Sequence, residues 1–367
     1  MLSTLRHRGP HPEILGCAVA MVLLFDISGT LSKAVAAYML VDLGTFPGEL
    51  GTSEAARLND HGQVVGRSNS LLTYHRAFMY DGMLNNLGAL GGDYSGAADI
   101  NEAGQIVGGT TTVGGPVHAF LYDGTMHDLG TLGGVFSGAN AINNHGHVTG
   151  FADTSTAMHL FMYDGMLNDL GSLGGPYING LSINDNGWIT GYASPLGQPE
   201  WHAFLYDGTI HDLGTLGGNY SEGADINSAG NIVGHSGTSD STHPFFYDGT
   251  MHDLGFAGRA YGVNDQNEIV GSMFVGDTTH AFYYDVEAGL VDLNTLIDPA
   301  SGWTLYEAKD INEVGQIVGT AFLNGLPRAF LLTPLPEPSM WALAACGMMA
   351  ASLSTVRRKA GRSTMRN

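Results

Sequence analysis

At 367 residues with 44% hydrophobic side chains, the chain can bury a sizeable core, which excludes an intrinsically disordered protein. Between residues 38 and 333 six basic side chains stand against 32 acidic ones, a net charge of −26 that repels phosphate backbones and excludes nucleic acid as a partner. The two cysteines, Cys17 and Cys346, both fall outside that body, which leaves it without disulfides or thiolate metal sites.

The first 37 residues carry Arg6 and Arg8, then an apolar run from Ile14 to Phe25, interrupted after it by Asp26. They end in "SKAVAAY", where Ala34 and Ala36 are small residues at an A-x-A spacing. That order predicts a helical secretory signal peptide over 1–37, cut by signal peptidase near Ala36 or Ala37.

From residue 38 onward the chain repeats itself. "HAFLYDGTMHDLGTLGG" at 118–134 returns at 202–218 with Met126 exchanged for Ile210. A second element, "INEAGQIVG" in one copy, places its Asn at 59, 101, 143, 184, 227, 264 and 312, at spacings of 37 to 48 residues. Each unit reads as four strands: "SGAADIN", "GQIVGGT", "HAFLYDG" and "MHDLG". In "HAFLY" both faces are apolar, so the strand needs cover on both sides. Seven such units predict an all-β, seven-bladed β-propeller of four-stranded blades. The runner-up architecture is an open stack of β units. The body opens on "YMLVDLG", a fourth strand without its first three, and ends on "RAFLL", a third strand without its fourth. Joined, they complete the last blade and close the ring. The Gly104 position is Gly in six copies and Asn267 in the seventh, which points to a positive φ. The leading Asn is expected to cap that turn. Such marks, "HAFLYDG", "DLGTLGG" and the Asn-x-x-Gly-x-Ile-Val-Gly turn, resemble the HAF family of bacterial extracellular repeats over nearly all of 40–332. Arg76 and Arg328 stand where that pattern has His, and the sixth blade departs with "YYDVEAGLVDLNTL". The resemblance implies no catalytic activity.

Candidate chemistry within the body is sparse. Neighbouring strand residues point to opposite faces, so His127-Asp128, His211-Asp212 and His252-Asp253 are not expected to share a metal or a proton. The His of each "HAF" falls on the third strand, away from the axis, where packing between repeats is the expected role. "DINEAG" at 99–104 and its copies match half of a calcium loop but lack the later bidentate Glu, so turn capping is expected over Ca2+, and no cofactor is expected. An enzyme needs one place where the symmetry breaks. Glu200-Trp201 and Glu222 do not repeat, yet nothing in the sequence makes them partners, and no catalytic residue is named. The loops after "IVG" vary most and emerge on one face with the "GTLGG" crossovers. Tyr192 and Trp201 on that face are the candidates for a glycan contact.

The C-terminal segment begins with Pro336-Glu337-Pro338, runs apolar from Met340 to Val356, and ends in Arg357, Arg358 and Lys359. Residues 340–356 would span roughly 25 Å as a helix, and the basic cluster would stay cytoplasmic. This tail, 334–367, resembles the PEP-CTERM sorting signal of Gram-negative bacteria. The resemblance implies cleavage near Pro336–Pro338 by a membrane-embedded exosortase and release or transfer of the body to the cell surface. It also implies a setting of exopolysaccharide and biofilm. The expected function is therefore an exported, non-catalytic binding or structural module of the extracellular matrix, with exosortase, signal peptidase and an exopolysaccharide or surface partner. The alternative is a propeller-fold glycoside hydrolase or lyase.

Overall fold

Strands apolar on both faces must be sandwiched, and here seven four-stranded antiparallel sheets sandwich one another in sequence. The computed structural model describes residues 38–47, 51–69 and 74–335. The leader with Ala34 and Ala36 lies outside the described residues. So does the tail with Pro336, Glu337, Pro338, the 340–356 span, Arg357, Arg358 and Lys359. Among the described residues no helix is long and apolar enough to cross a membrane.

Blades 1 to 6 each take four consecutive strands, from Ser53–Leu58 in blade 1 to Gly289–Asp292 in blade 6. Strand order within a blade runs from the innermost to the outermost in chain order. The variable loops and the inter-blade crossovers consequently emerge on one face, the Asn-x-x-Gly and Tyr-Asp-Gly turns on the other.

One position of the third strand is Phe in every blade, from Phe78 to Phe330, and all seven rings are fully buried. Opposite each stands the Gly of "IVG", as in Gly66↔Phe78, Gly234↔Phe245 and Gly319↔Phe330. A Cβ on Gly234 would lie 1.9 Å from the Glu222 carbonyl oxygen and 2.9 Å from the Phe245 ring. Backbone on one side and a buried ring on the other leave no room for a methyl group. Gly234→Ala should therefore lower stability by about 1–3 kcal/mol, read as a fall in the chemical-denaturation midpoint, while Gly109→Ala, which would meet only the Val117 side chain at 3.3 Å, should fall short of it.

The turn after each innermost strand bears out the sequence reading. Its six glycines have φ between +74° and +87°, and Asn267 has φ +59°. The leading Asn does more than was expected of it. In all seven blades its Oδ1 accepts the amide four residues on, at 2.8–3.1 Å. Its Nδ2 also donates to the carbonyl of the corresponding Asn in the following blade. Those bonds run Asn59 to Asn101, Asn143, Asn184, Asn227, Asn264 and Asn312, and Asn312 returns to Asn59, all within 3.0–3.3 Å. Seven buried side chains thus form a closed circle.

Blade 7 closes as expected. Trp303–Ile311, Ile317–Leu323 and Leu326–Pro334 come from the C-terminal end of the body, and Tyr38–Asp42 adds the outer strand. The register sets Leu40 opposite Leu332 and Val41 opposite Leu331.

Candidate functional site

Seven near-identical blades cannot by themselves build a single site, so the informative positions are those where the copies differ. These lie on the innermost strands. Each innermost strand carries a register shift near its end, at Ala55/Arg57 in blade 1 and at the equivalent place in the other six. A bulge there re-aims the following side chain. That side chain is Arg57, Asp99, Ala141, Ser182, Asp225, Gly262 or Asp310 in blades 1 to 7.

Arg57 shows where these residues point. Its guanidinium donates to the carbonyls of Ala224 in blade 5, Tyr261 in blade 6 and Lys309 in blade 7, at 3.0–3.3 Å. A side chain from blade 1 reaches three blades at once only by crossing the axis. It also pairs with Asp225 at 3.6 Å and Asp310 at 3.5 Å. The carboxylates do not cap their own turns alone, as the sequence suggested. Asp99, Asp225 and Asp310 each accept an amide of the next blade, from Ile142, Val263 and Leu58, at 2.8–3.0 Å. They latch adjacent innermost strands together. Burial pushes the Asp99 carboxyl up to about 7 and raises Asp310 as well, although Arg57 opposes both shifts. Among the described residues no group of three or more His, Cys, Asp or Glu side chains could hold a metal.

Nearer the loop face, the cross-strand pair beside the "IVG" Gly also differs between copies. It is Glu54↔Arg67 in blade 1, Gly96↔Gly109 in blade 2, Asn179↔Tyr192 in blade 4, Glu222↔His235 in blade 5 and Arg259↔Ser272 in blade 6. Tyr192, one of the two candidates from the sequence, stands 5.9 Å between ring centroids from the other, Trp201. Trp201 in turn faces Tyr220 at 6.4 Å, and Tyr220 meets His235 edge-on at 6.1 Å. Trp201 is 40% exposed. Four rings thus run from the second strand of blade 4, past the loop that carries Trp201, to the second strand of blade 5. Tyr220 is fixed through its hydroxyl by Thr242, and Ser221 donates its amide to the Trp201 carbonyl at 3.0 Å.

Tyr220 and His235 escaped the sequence reading, because a shared wall depends on which strands pair. Glu222 had no visible partner in sequence; here it lies opposite His235, and burial raises its carboxyl. His235 is 5% exposed, and its Nδ1 has no hydrogen-bond partner. Burial, with the Arg259 charge, holds its imidazole down to about 3.

The repeated histidines sit on third strands, as expected, but the partners emerge only in three dimensions. Each "HAF" His binds the Asp of "DLG" in the same blade, from His118–Asp128 to His280–Asp292, at 2.7–3.0 Å. In the sequence-adjacent His-Asp pairs the His turns instead to the Asp of "YDG", as His127 does to Asp123 at 2.9 Å. That bond leads the causes that hold Asp123 below its usual range. An open cleft of about 630 Å³ on the opposite face, lined by His61, Gln63, Glu102 and Gln316 among others, lies away from the aromatic run.

No protein-family model and no curated protein matches the chain. Among solved structures, the β-propeller domain of the trilobed protease from Pyrococcus furiosus, described as having an open velcro topology, is similar with a TM-score of 0.50. It is 14% identical, over 68% of this chain and 86% of that one. TolB from Acinetobacter baumannii is similar with a TM-score of 0.43 and 12% identity, over 66% of this chain and 63%, less than two thirds, of that one. The Aleuria aurantia lectin, in a mutant complexed with Fucα1-6GlcNAc, has a TM-score of 0.38 and 12% identity, over 65% of this chain and 94% of its own. The likeness to the trilobed protease's propeller domain shows the fold alone.

Proposed function

We propose that the protein is an exported, surface-sorted binding module that holds a glycan of the extracellular matrix against the loop face of blades 4 and 5. One observation carries this reading: Tyr192, Trp201 and Tyr220 line up on the variable-loop face of an otherwise repetitive ring, with Trp201 open to solvent. A run of tilted aromatic rings on a rigid scaffold suits the apolar faces of sugar rings. Signal peptidase and an exosortase acting near Pro336–Pro338 are the proposed processing partners. Trp201→Ala should reduce glycan binding by the full chain about tenfold or more, measured on a glycan array and by titration calorimetry. Unchanged affinity would remove the glycan site from this face. In a host carrying an exosortase, Glu337→Ala should leave unprocessed protein in the inner membrane; normal processing would defeat the sorting reading.

A glycoside hydrolase or lyase is the second reading, favoured by the raised Glu222 carboxyl beside the ring wall. Against it, the two glutamates at the same register, Glu54 and Glu307, are held by Arg67 at 2.6 Å and Lys309 at 3.0 Å. Such pairing leaves Glu222 without a second free carboxylate for acid–base work. Release of reducing ends from bound glycan, lost in Glu222→Gln, would establish the enzyme.

A further inference from the structure

Six basic side chains serve the whole body, and four have clear duties. Arg57 holds the axial carboxylates, Arg67 pairs with Glu54, and Lys309 pairs with Glu307. Arg328 donates to the Gly51 carbonyl, whereas Arg76 only approaches the exposed Asp93 at 3.9 Å and its buried Nη1 has no hydrogen-bond partner. Arg259 is exposed and makes no ion pair or hydrogen bond with any described residue. A lone unpaired guanidinium within a body of net charge −26 is the place where a negative group can be bound.

Its position gives that group a context. Arg259 occupies the same register as Glu222 in the preceding blade, and its charge acts on both Glu222 and His235. His235 ends the run of rings that begins at Tyr192, and its buried Nδ1 has no partner. The aromatic track thus leads to a free cation and an unused polar atom.

We propose, resting on the glycan reading above, that the Arg259 end of this track is a carboxylate subsite, and that the ligand is an acidic oligosaccharide built from uronic acid units. A guanidinium fork matches a carboxylate in bidentate fashion, while the sugar faces stack along Tyr220 and Trp201. Glu222 and the Lys309–Glu307 pair are the other charged groups at hand; burial raises the Glu222 carboxyl, and the Arg259 and Lys309 charges oppose that rise.

The test is titration calorimetry on the detergent-solubilised full chain with oligouronates of galacturonic, mannuronic and glucuronic acid, each beside its methyl ester. At least one acid form should bind about tenfold or more tightly than its ester. Arg259→Gln should abolish that difference while leaving the ester's affinity and the melting temperature unchanged. Raising salt from about 50 to about 500 mM should weaken the acid form alone. Equal affinity for acid and ester, with Trp201→Ala weakening both, would overturn the carboxylate subsite and keep the glycan site. Absence of binding by every acid and ester overturns this proposal, whereas binding unmoved by Trp201→Ala overturns the glycan face itself.

Discussion

Arg57→Met should lower stability by about 3–5 kcal/mol at neutral pH, because it strips the Arg57 cation from three largely buried carboxylates, Asp99, Asp225 and Asp310, while roughly preserving volume. Met cannot bond the carbonyls of Ala224, Tyr261 and Lys309, so those oxygens lose a donor as well. The loss should depend on pH. Asp99 has a folded-state carboxyl pushed up to about 7 against an ordinary 3.8, and Asp310 is shifted in the same direction. Groups raised in this way favour the folded state below the unfolded value, and that contribution disappears as pH climbs through the folded value. Asp99 and Asp310 should thus add stability as pH falls from about 8 to about 5, opposed below the ordinary 6.5 by His235, whose imidazole is held down to about 3, and the Arg57→Met deficit should shrink over the same interval as the carboxyls take up protons. Asp123, Asp207 and Asp248, all held below their usual range, act in the opposite sense, in the acid region below the ordinary carboxylate value. Denaturation midpoints for both proteins across this range check the result. A variant as stable as wild type at pH 8 would refute the account of the axis.

The second large effect concerns closure. Removing Tyr38–Asp42 leaves Leu326–Pro334 as an open edge and uncovers the apolar side chains against which Tyr38, Leu40 and Val41 pack. Three partly buried side chains correspond to about 3–5 kcal/mol, or roughly 5–8 °C in Tm for a chain of this size. The freed edge is also a template for pairing with a second molecule. The shortened protein should therefore melt earlier and associate, as read by calorimetry and light scattering, whereas an open stack of repeats would lose an end strand with little effect on the rest.

Much of the fold was legible because it rests on local chemistry that recurs. Gly or Asn at the positive-φ turn and strands apolar on both faces follow from short-range rules, and the incomplete blades at the two ends of the body complement each other. The circle of Asn side chains was only half legible. Capping is local, but the second bond joins residues 37 to 253 positions apart in the chain. The "HAF" His and the "DLG" Asp stood in every copy, yet their pairing depends on the register between the third and fourth strands. The axis was illegible for a different reason. The one-residue bulge shifts which side chains point inward, so simple alternation does not mark Arg57, Asp99, Asp225 and Asp310 as neighbours. A comparison of the seven copies with one another would have found them, since the inner positions vary where the rest of the blade does not. By the same measure, Tyr192 and Trp201 were found as breaks in the pattern, while Tyr220 and His235 needed the strand pairing.

The reach of Arg57 has a consequence for how many units the ring can contain. Blades whose edges are nearly interchangeable could close in sets of six or eight, or exchange units between two molecules, with little change in contact at each seam. A guanidinium that must touch the fifth, sixth and seventh units from the first fixes the bore of the assembly. In that role one arginine acts as a gauge of stoichiometry, rejecting any circle too narrow or too wide for its span.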